Sequence, residues 1–262
     1  MHVAVLIKQV PGTTSARLNP ETGTMIREAS DTVMNPLDEH ALYAAVQIKK
    51  TRPGTKVTAL SMGPGSAQKV LQEAAARGAD QGVLLSHRAF AGSDTIATAR
   101  VLAAALRKLG PVDLILAGEK STDGETGQTG PMTATLLNFP VITFVRRLSV
   151  GDGSVRAERL VEDGVEEIEL GLPALVTVLR DINNPPPLSM REIIRAKKLT
   201  FPVWGPADLE IEEGSVGLKG SATRVVKVFS PKFARNTTFY RAEDGEKAIS
   251  AVLDVLQKRN LI

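Results

Sequence analysis

Cysteine does not occur in the 262 residues. Disulfides, cysteine-ligated zinc, thiolate-held iron–sulfur clusters and thiol nucleophiles are therefore excluded. Histidine occurs three times, as His2, His40 and His87. That wide spacing matches no metal-ligand pattern, so each reads as a surface or capping residue. Aromatic residues make up only 4% of the chain, and 32 Lys and Arg stand against 29 Asp and Glu for a net charge of +3. Without a basic run or an aromatic-rich surface, a nucleic-acid partner has no support. No apolar run approaches the roughly 20 residues that a membrane-spanning helix requires. The start "MHVAVLIKQV" enters an apolar strand directly, without the charged region and cleavage site of a secretory leader. The expectation is a cytoplasmic protein with no transmembrane segment. Three nucleotide and catalytic signatures are also missing: the Walker pattern, a G-x-G-x-x-G after the first strand, and the G-x-S-x-G elbow.

What is present is a 43% share of hydrophobic residues, distributed as short β-branched runs alternating with longer Ala/Leu-rich segments. This pattern predicts an α/β fold with an open, mostly parallel sheet and helices on both faces, a Rossmann-like adenine-nucleotide-binding domain. Strands are expected at 2–10, 56–62, 82–86, 112–117 and 172–179. A hairpin is expected over 16–28, turning at Asn19, Pro20 and Gly23. Helices are expected over 35–50, with Pro36 and the following acids favouring its start, over the segment beginning at Ser66, and over 93–110. In the last, Ile96, Val101, Leu102, Ala105, Leu106 and Leu109 share a face, Ser93 or Asp94 caps the start and Gly110 stops the end. After residue 140 the pattern changes to an antiparallel meander, with hairpin turns at Gly151-Asp152-Gly153 and Asp163-Gly164. "NNPPP" at 183–187 is a stiff connector, because consecutive prolines enter neither a helix nor a central strand. The domain reading is a nucleotide-binding α/β domain over 1–202, with a docking loop near 183–195, and a C-terminal arm over 203–262. The arm ends in a helix over 245–259 and needs a surface to lie on; folding back on its own domain is the alternative.

The stretch "GEKSTDGETGQTG" at 118–130 stands between an apolar strand and a helix start. Backbone amides near a helix N-terminus suit a phosphate, since they are otherwise unpaired and the helix dipole favours negative charge. Thr126, Gln128 and Thr129 add side-chain donors, and Gly124, Gly127 and Gly130 allow close approach. Asp123 suits a turn or a nucleotide hydroxyl better than a phosphate. An ordinary glycine-rich turn is the competing reading. No acid–base pair or nucleophile stands out, so residues alone indicate a nucleotide-holding domain without visible catalytic groups.

Four stretches in order, "VLIKQVPGT" at 5–13, "VMNPLDEHAL" at 33–42, "MGPGSAQKVLQEAAARGAD" at 62–80 and the loop itself, resemble the beta subunit of electron transfer flavoproteins, the FixA/EtfB family. The likeness continues through "LRDINNPPPLSMREIIRAKK" at 179–198. The resemblance implies an obligate heterodimer with a flavin-carrying alpha subunit, and oxidoreductase activity only within that complex. It implies that Leu6, Lys8, Val10, Asn35, Met62 and the loop from Gly118 to Thr129 surround a nucleotide. In ordinary members that nucleotide is structural AMP; in the bifurcating branch it is a second FAD. "TGTMIRE" at 22–28, "SHRAFAGSDTIATA" at 86–99 and "GLKGSATRVVKVFSP" at 217–231 resemble the bifurcating branch, which would take electrons from NADH and deliver some to ferredoxin. On that branch Asp94, Thr95 and Thr98 would meet the isoalloxazine or ribityl part of FAD, although they also read as a helix cap. "VPGT" stands where the branch has "VPDT", and "GEKS" where it has "GKQA", which puts Glu119 in a usually neutral position. The resemblance further places a dehydrogenase anchor at Met190, near Leu188, for an acyl-CoA dehydrogenase or quinone oxidoreductase. A stand-alone nucleotide-sensing module is the alternative from a different class.

Overall fold

The computed structural model describes residues 1–12, 32–226 and 237–262, so the hairpin expected over 16–28 lies outside the described residues. The chain forms two compact units, Met1–Val226 and Lys227–Ile262.

In the first unit β1 (His2–Ile7) is flanked by β4 (Lys56–Met62) and β6 (Leu114–Gly118), both parallel to it. The sheet runs outward through β5 (Gln81–Leu85) to the short β11 (Val203–Trp204) on one side. On the other side it continues through β10 (Ala174–Val178) and β7 (Val141–Val150) to β8 (Ser154–Val161) and β9 (Gly164–Gly171). Pairing is parallel as far as β7 and antiparallel from β7 to β9, as the change of pattern after residue 140 led one to expect. The single long first strand expected over 2–10 is broken at Lys8. Gln9–Pro11 leaves the main sheet as β2 and pairs with β3 (Thr32–Met34) in a separate two-stranded ladder.

Strand alternation sorts the side chains into two cores. Val3, Val5, Ile7, Leu114 and Leu116 face α1 (Pro36–Thr51) and α2 (Gln68–Arg77). Ala4, Leu6, Leu60, Ile115 and Ala117 face α3 (Thr95–Leu109) and α4 (Thr129–Leu137). Asp94 caps α3 by accepting from Ala97 N at 2.9 Å, and Gly110 at φ 89° ends it. α5 (Met190–Ala196) packs on α2. The arm expected to begin at residue 203 separates later: β11 joins the sheet, Leu209 and Val216 are buried in the α3-side core, and α6 (Gly217–Gly220) still belongs to this unit. Isolated apolar residues in a weakly periodic stretch gave no sign of that attachment.

In the second unit the one α-helix among the described residues is α7 (Gly245–Lys258), which has no buried residue and exposes Ile249, Val252, Leu253 and Val255. No helix of the described residues is long and apolar enough to cross a membrane.

Leu116 is fully buried in the central β6. Leu116→Ala is expected to cost about 2–5 kcal/mol. In a thermal melt this would lower the midpoint by roughly 5–15 °C.

Candidate functional site

In an open α/β sheet a ligand crevice lies where successive crossovers leave in opposite directions from neighbouring strands. Here β1 leads through α1 to β4 on one side, while β5 leads through α3 to β6 on the other. The carboxyl ends of β1 and β6, at Lys8 and Gly118, therefore frame the crevice.

Around this point the structure gathers several of the expected site residues. The Lys8 ammonium reaches Asp123 Oδ1 at 2.7 Å and Ser121 Oγ at 3.3 Å. Asn35 is fully buried; its amide donates to Lys120 O at 2.9 Å and its carbonyl accepts from Thr122 N at 3.2 Å. Asn35 thus shapes the loop from behind. Asp38, one helical turn further, accepts from Lys8 N at 2.8 Å and from Gly118 N at 3.2 Å. Sequence reasoning took this residue only for a helix-start acid, and nothing in the local pattern distinguishes that use from a brace across two strands.

The loop then runs into α4 with Glu125 at φ 50° and Gly127 at φ 64°. A left-handed non-glycine residue is uncommon and occurs where surrounding contacts over-determine the backbone. The N–H groups of Gly124, Thr126, Gly127 and Gln128 donate to no described residue. Together with the amides of Thr129 and Gly130 at the start of α4, they form a set of donors suited to an anion. Gly130 is pressed against β10, where an added Cβ would stand 2.8 Å from Thr177 Cγ2. Thr95 Oγ1 lies 3.4 Å from Gln128 Oε1, which brings the N-terminus of α3 beside that of α4 and adds a second positive dipole end. These donors fit the phosphate of a nucleotide.

Asp94 is committed elsewhere. Besides capping α3, its carboxylate accepts from Thr223 N at 2.8 Å and Thr223 Oγ1 at 3.0 Å, while Asp94 N donates to Ser221 Oγ at 2.9 Å. Desolvation works against its charge, but the donors from Ala97 and from residues 222–223 outweigh it and hold the carboxyl below the ordinary range. Ser221 and Thr223 thus join the rim through a long-range contact that the sequence did not signal. Thr98 sits in the first turn of α3, its N–H donating to Asp94 O. Leu6 and Val10 are buried, and Met62 ends β4 half-buried against the α3-side core.

Leu188 and Met190 lie apart from this cluster, at the start of α5. Asn183 Nδ2 donates to His40 O at 2.9 Å and Arg77 donates to Pro186 O at 3.3 Å, tying the proline connector to α1 and α2. Ser189 and Glu192 form a reciprocal capping box, and Met190 is 70% exposed with Ile194, one turn on, at 54%.

The electron transfer flavoprotein domain matches residues 22–209, more than half of the sequence. The chain belongs to the electron transfer flavoprotein beta-subunit (FixA) family. It is 42% identical over 231 residues, 88% of each chain, to the caffeyl-CoA reductase-Etf complex subunit CarD of Acetobacterium woodii. It is 39% identical over the full length of both chains to the electron transfer flavoprotein subunit beta of Thermoanaerobacterium thermosaccharolyticum. It is also 39% identical to the protein FixA of Bradyrhizobium diazoefficiens, covering 98% of this chain and 91% of that one.

Burial pushes the Asp38 carboxyl from 3.8 up to about 7, against the opposing pull of the Asn35 side chain, the Lys8 and Gly118 amides and the Lys8 ammonium. Between those values the folded chain holds a proton that the unfolded chain has released. The stability from this group is therefore complete below 3.8 and is lost as the pH rises through about 7. Denaturant midpoints taken from about pH 5 to about pH 8 should fall less steeply in Asp38→Asn than in the wild type.

Proposed function

We propose that this chain is the beta half of a heterodimeric electron transfer flavoprotein and that the loop at 118–130 holds the phosphate-bearing part of an FAD. The observation that carries this reading is the set of amides of Gly124, Thr126, Gly127 and Gln128, which donate to no described residue, beside the N-termini of α3 and α4, at the crevice between β1 and β6. An FAD held there would supply the redox chemistry, with NADH as the proposed donor and, as the proposed acceptors, ferredoxin and, by way of the alpha subunit, a dehydrogenase or quinone path. The chain itself supplies no acid, base or nucleophile in this scheme. Lys8 and the loop amides bind phosphate oxygens, Asn35 holds the loop backbone, and Thr95 and Gln128 orient the groups beyond the phosphate. Kinship with a subunit of a caffeyl-CoA reductase-Etf complex supports an assembly in which a reductase draws on the flavoprotein.

The ordinary reading, AMP in the same loop and electrons shuttled from acyl-CoA dehydrogenases, is favoured by one observation. The Asp94 carboxylate already accepts from Ala97 and Thr223, contacts that need no flavin. The two readings separate on cofactor content. The chain is purified with its alpha partner, incubated with FAD, desalted and denatured. Two FAD and no AMP per heterodimer is the expected result; one FAD and one AMP would replace the bifurcating reading with the ordinary one.

In either case the exposed Met190 on a connector braced to α1 and α2 is the proposed anchor for the partner dehydrogenase or oxidoreductase. The apolar face of α7 is the proposed contact of the arm with the alpha subunit. Removing a buried anchor side chain typically costs an interface about 2 kcal/mol or more. Met190→Ala should therefore slow electron delivery to the partner by about tenfold at sub-saturating partner concentration, with cofactor content unchanged. Stopped-flow reduction of the partner measures it.

A further inference from the structure

We propose that Asp38 is the positioning residue of the nucleotide loop: from behind the sheet edge it fixes the two backbone points between which a phosphate-bearing ligand is held. The inference rests on the nucleotide reading above and names the residue that makes the site competent.

The main-sheet register between β1 and β6 ends at Leu6 and Ala117. Beyond it β1 breaks at Lys8 and β6 opens into the loop at Gly118, so each strand leaves an amide at the crevice. One Asp38 oxygen accepts each amide, at 2.8 and 3.2 Å. The remaining contacts converge on the same spot. Asn35 N donates to Lys8 O at 2.8 Å, and the Asn35 side chain grips the loop backbone on both sides of Ser121. Gly118 is the complementary element: an added Cβ would stand 2.6 Å from Asp38 Oδ1 and 2.7 Å from the Leu37 carbonyl carbon. Only glycine lets the end of β6 come so close to the first turn of α1. Lys8 is thereby held by its backbone, while its side chain, 43% exposed, reaches across the crevice to Asp123.

Asp38 does not touch the crevice surface itself, being 6% exposed, so its effect on a ligand passes through Lys8 and Gly118. Asparagine at this position keeps the size and one acceptor but turns an N–H donor toward the other amide. Alanine removes both acceptors. A neutral side chain also relieves the burial of a charge, so stability and ligand affinity are expected to part company.

The test titrates AMP and FAD, as defined probes, into the complex with its alpha partner at pH about 8, where the carboxylate is ionised. Affinity is expected to fall at least about tenfold in Asp38→Asn and further in Asp38→Ala, since hydrogen bonds to a charged acceptor are lost. The melting temperature of Asp38→Asn is expected to hold or rise, an opposite movement that a purely structural residue would not give. Gly118→Ala should reproduce the affinity loss, and the double variant should bind no worse than the weaker single variant, because both disrupt one contact. Tryptic cleavage after Lys120 supplies a readout independent of affinity, and it should quicken in Asp38→Asn. Unchanged affinity in Asp38→Asn, or losses that simply add in the double variant, would overturn the assignment. A wild-type complex that takes up neither AMP nor FAD overturns the nucleotide reading, and this inference with it.

Discussion

Two backbone amides at the carboxyl ends of neighbouring strands, and one buried carboxylate accepting both, set the geometry on which the rest of the crevice depends. A parallel sheet satisfies its amides only as far as its strands remain in register. At the point where β1 and β6 part, Lys8 N and Gly118 N would otherwise be left without carbonyl partners at a partly buried position. Asp38 resolves that problem from the first turn of α1. The same solution brings α1 so close to β6 that residue 118 has room only for hydrogen. Helix, strand ends and loop are thereby locked in one arrangement.

The crevice is rich in carboxylates, and three of them are matched to donors. Asp123 is held by the Lys8 ammonium, Asp38 by two amides, and Asp94 by the cap of α3 and by Thr223. Positive potential at the crevice comes from the backbone amide dipoles at the start of α4 and from the Lys8 side chain. Such dipoles are fixed in place by folding and need no reorganisation when an anion arrives.

The segments suited to meeting other proteins are built differently. The proline connector is tied at Asn183 and Pro186 to the helices beneath it, and the capping box at Ser189 prefolds α5, so Met190 and Ile194 are presented with little freedom left to lose. α7 is the opposite case: a regular amphipathic helix with no buried residue within its own unit. Its apolar stripe has the form of a helix folded for a surface that the described residues of that unit do not supply.

How much of this was legible in the residues varied with the range of the interaction responsible. Strand and helix positions from α1 to β10 followed from local periodicity, as did the change from parallel to antiparallel pairing after residue 140, because alternation and turn residues act over a few positions. The resemblance of four ordered stretches led to the family. The break of the first strand at Lys8 was not visible, since "LIKQV" reads as one continuous strand until a separate partner, β3, claims its second half. The tie between Asp94 and Thr223, 129 residues apart, was equally hidden. Asp38 shows the division most sharply. By itself the sequence determined that an acid stands in the first turn of a helix, a choice favoured by the helix dipole alone. Only the tertiary structure decided that this acid turns inward, because the amides it accepts come from strands 30 and 80 residues away in sequence and meet only when the sheet has closed.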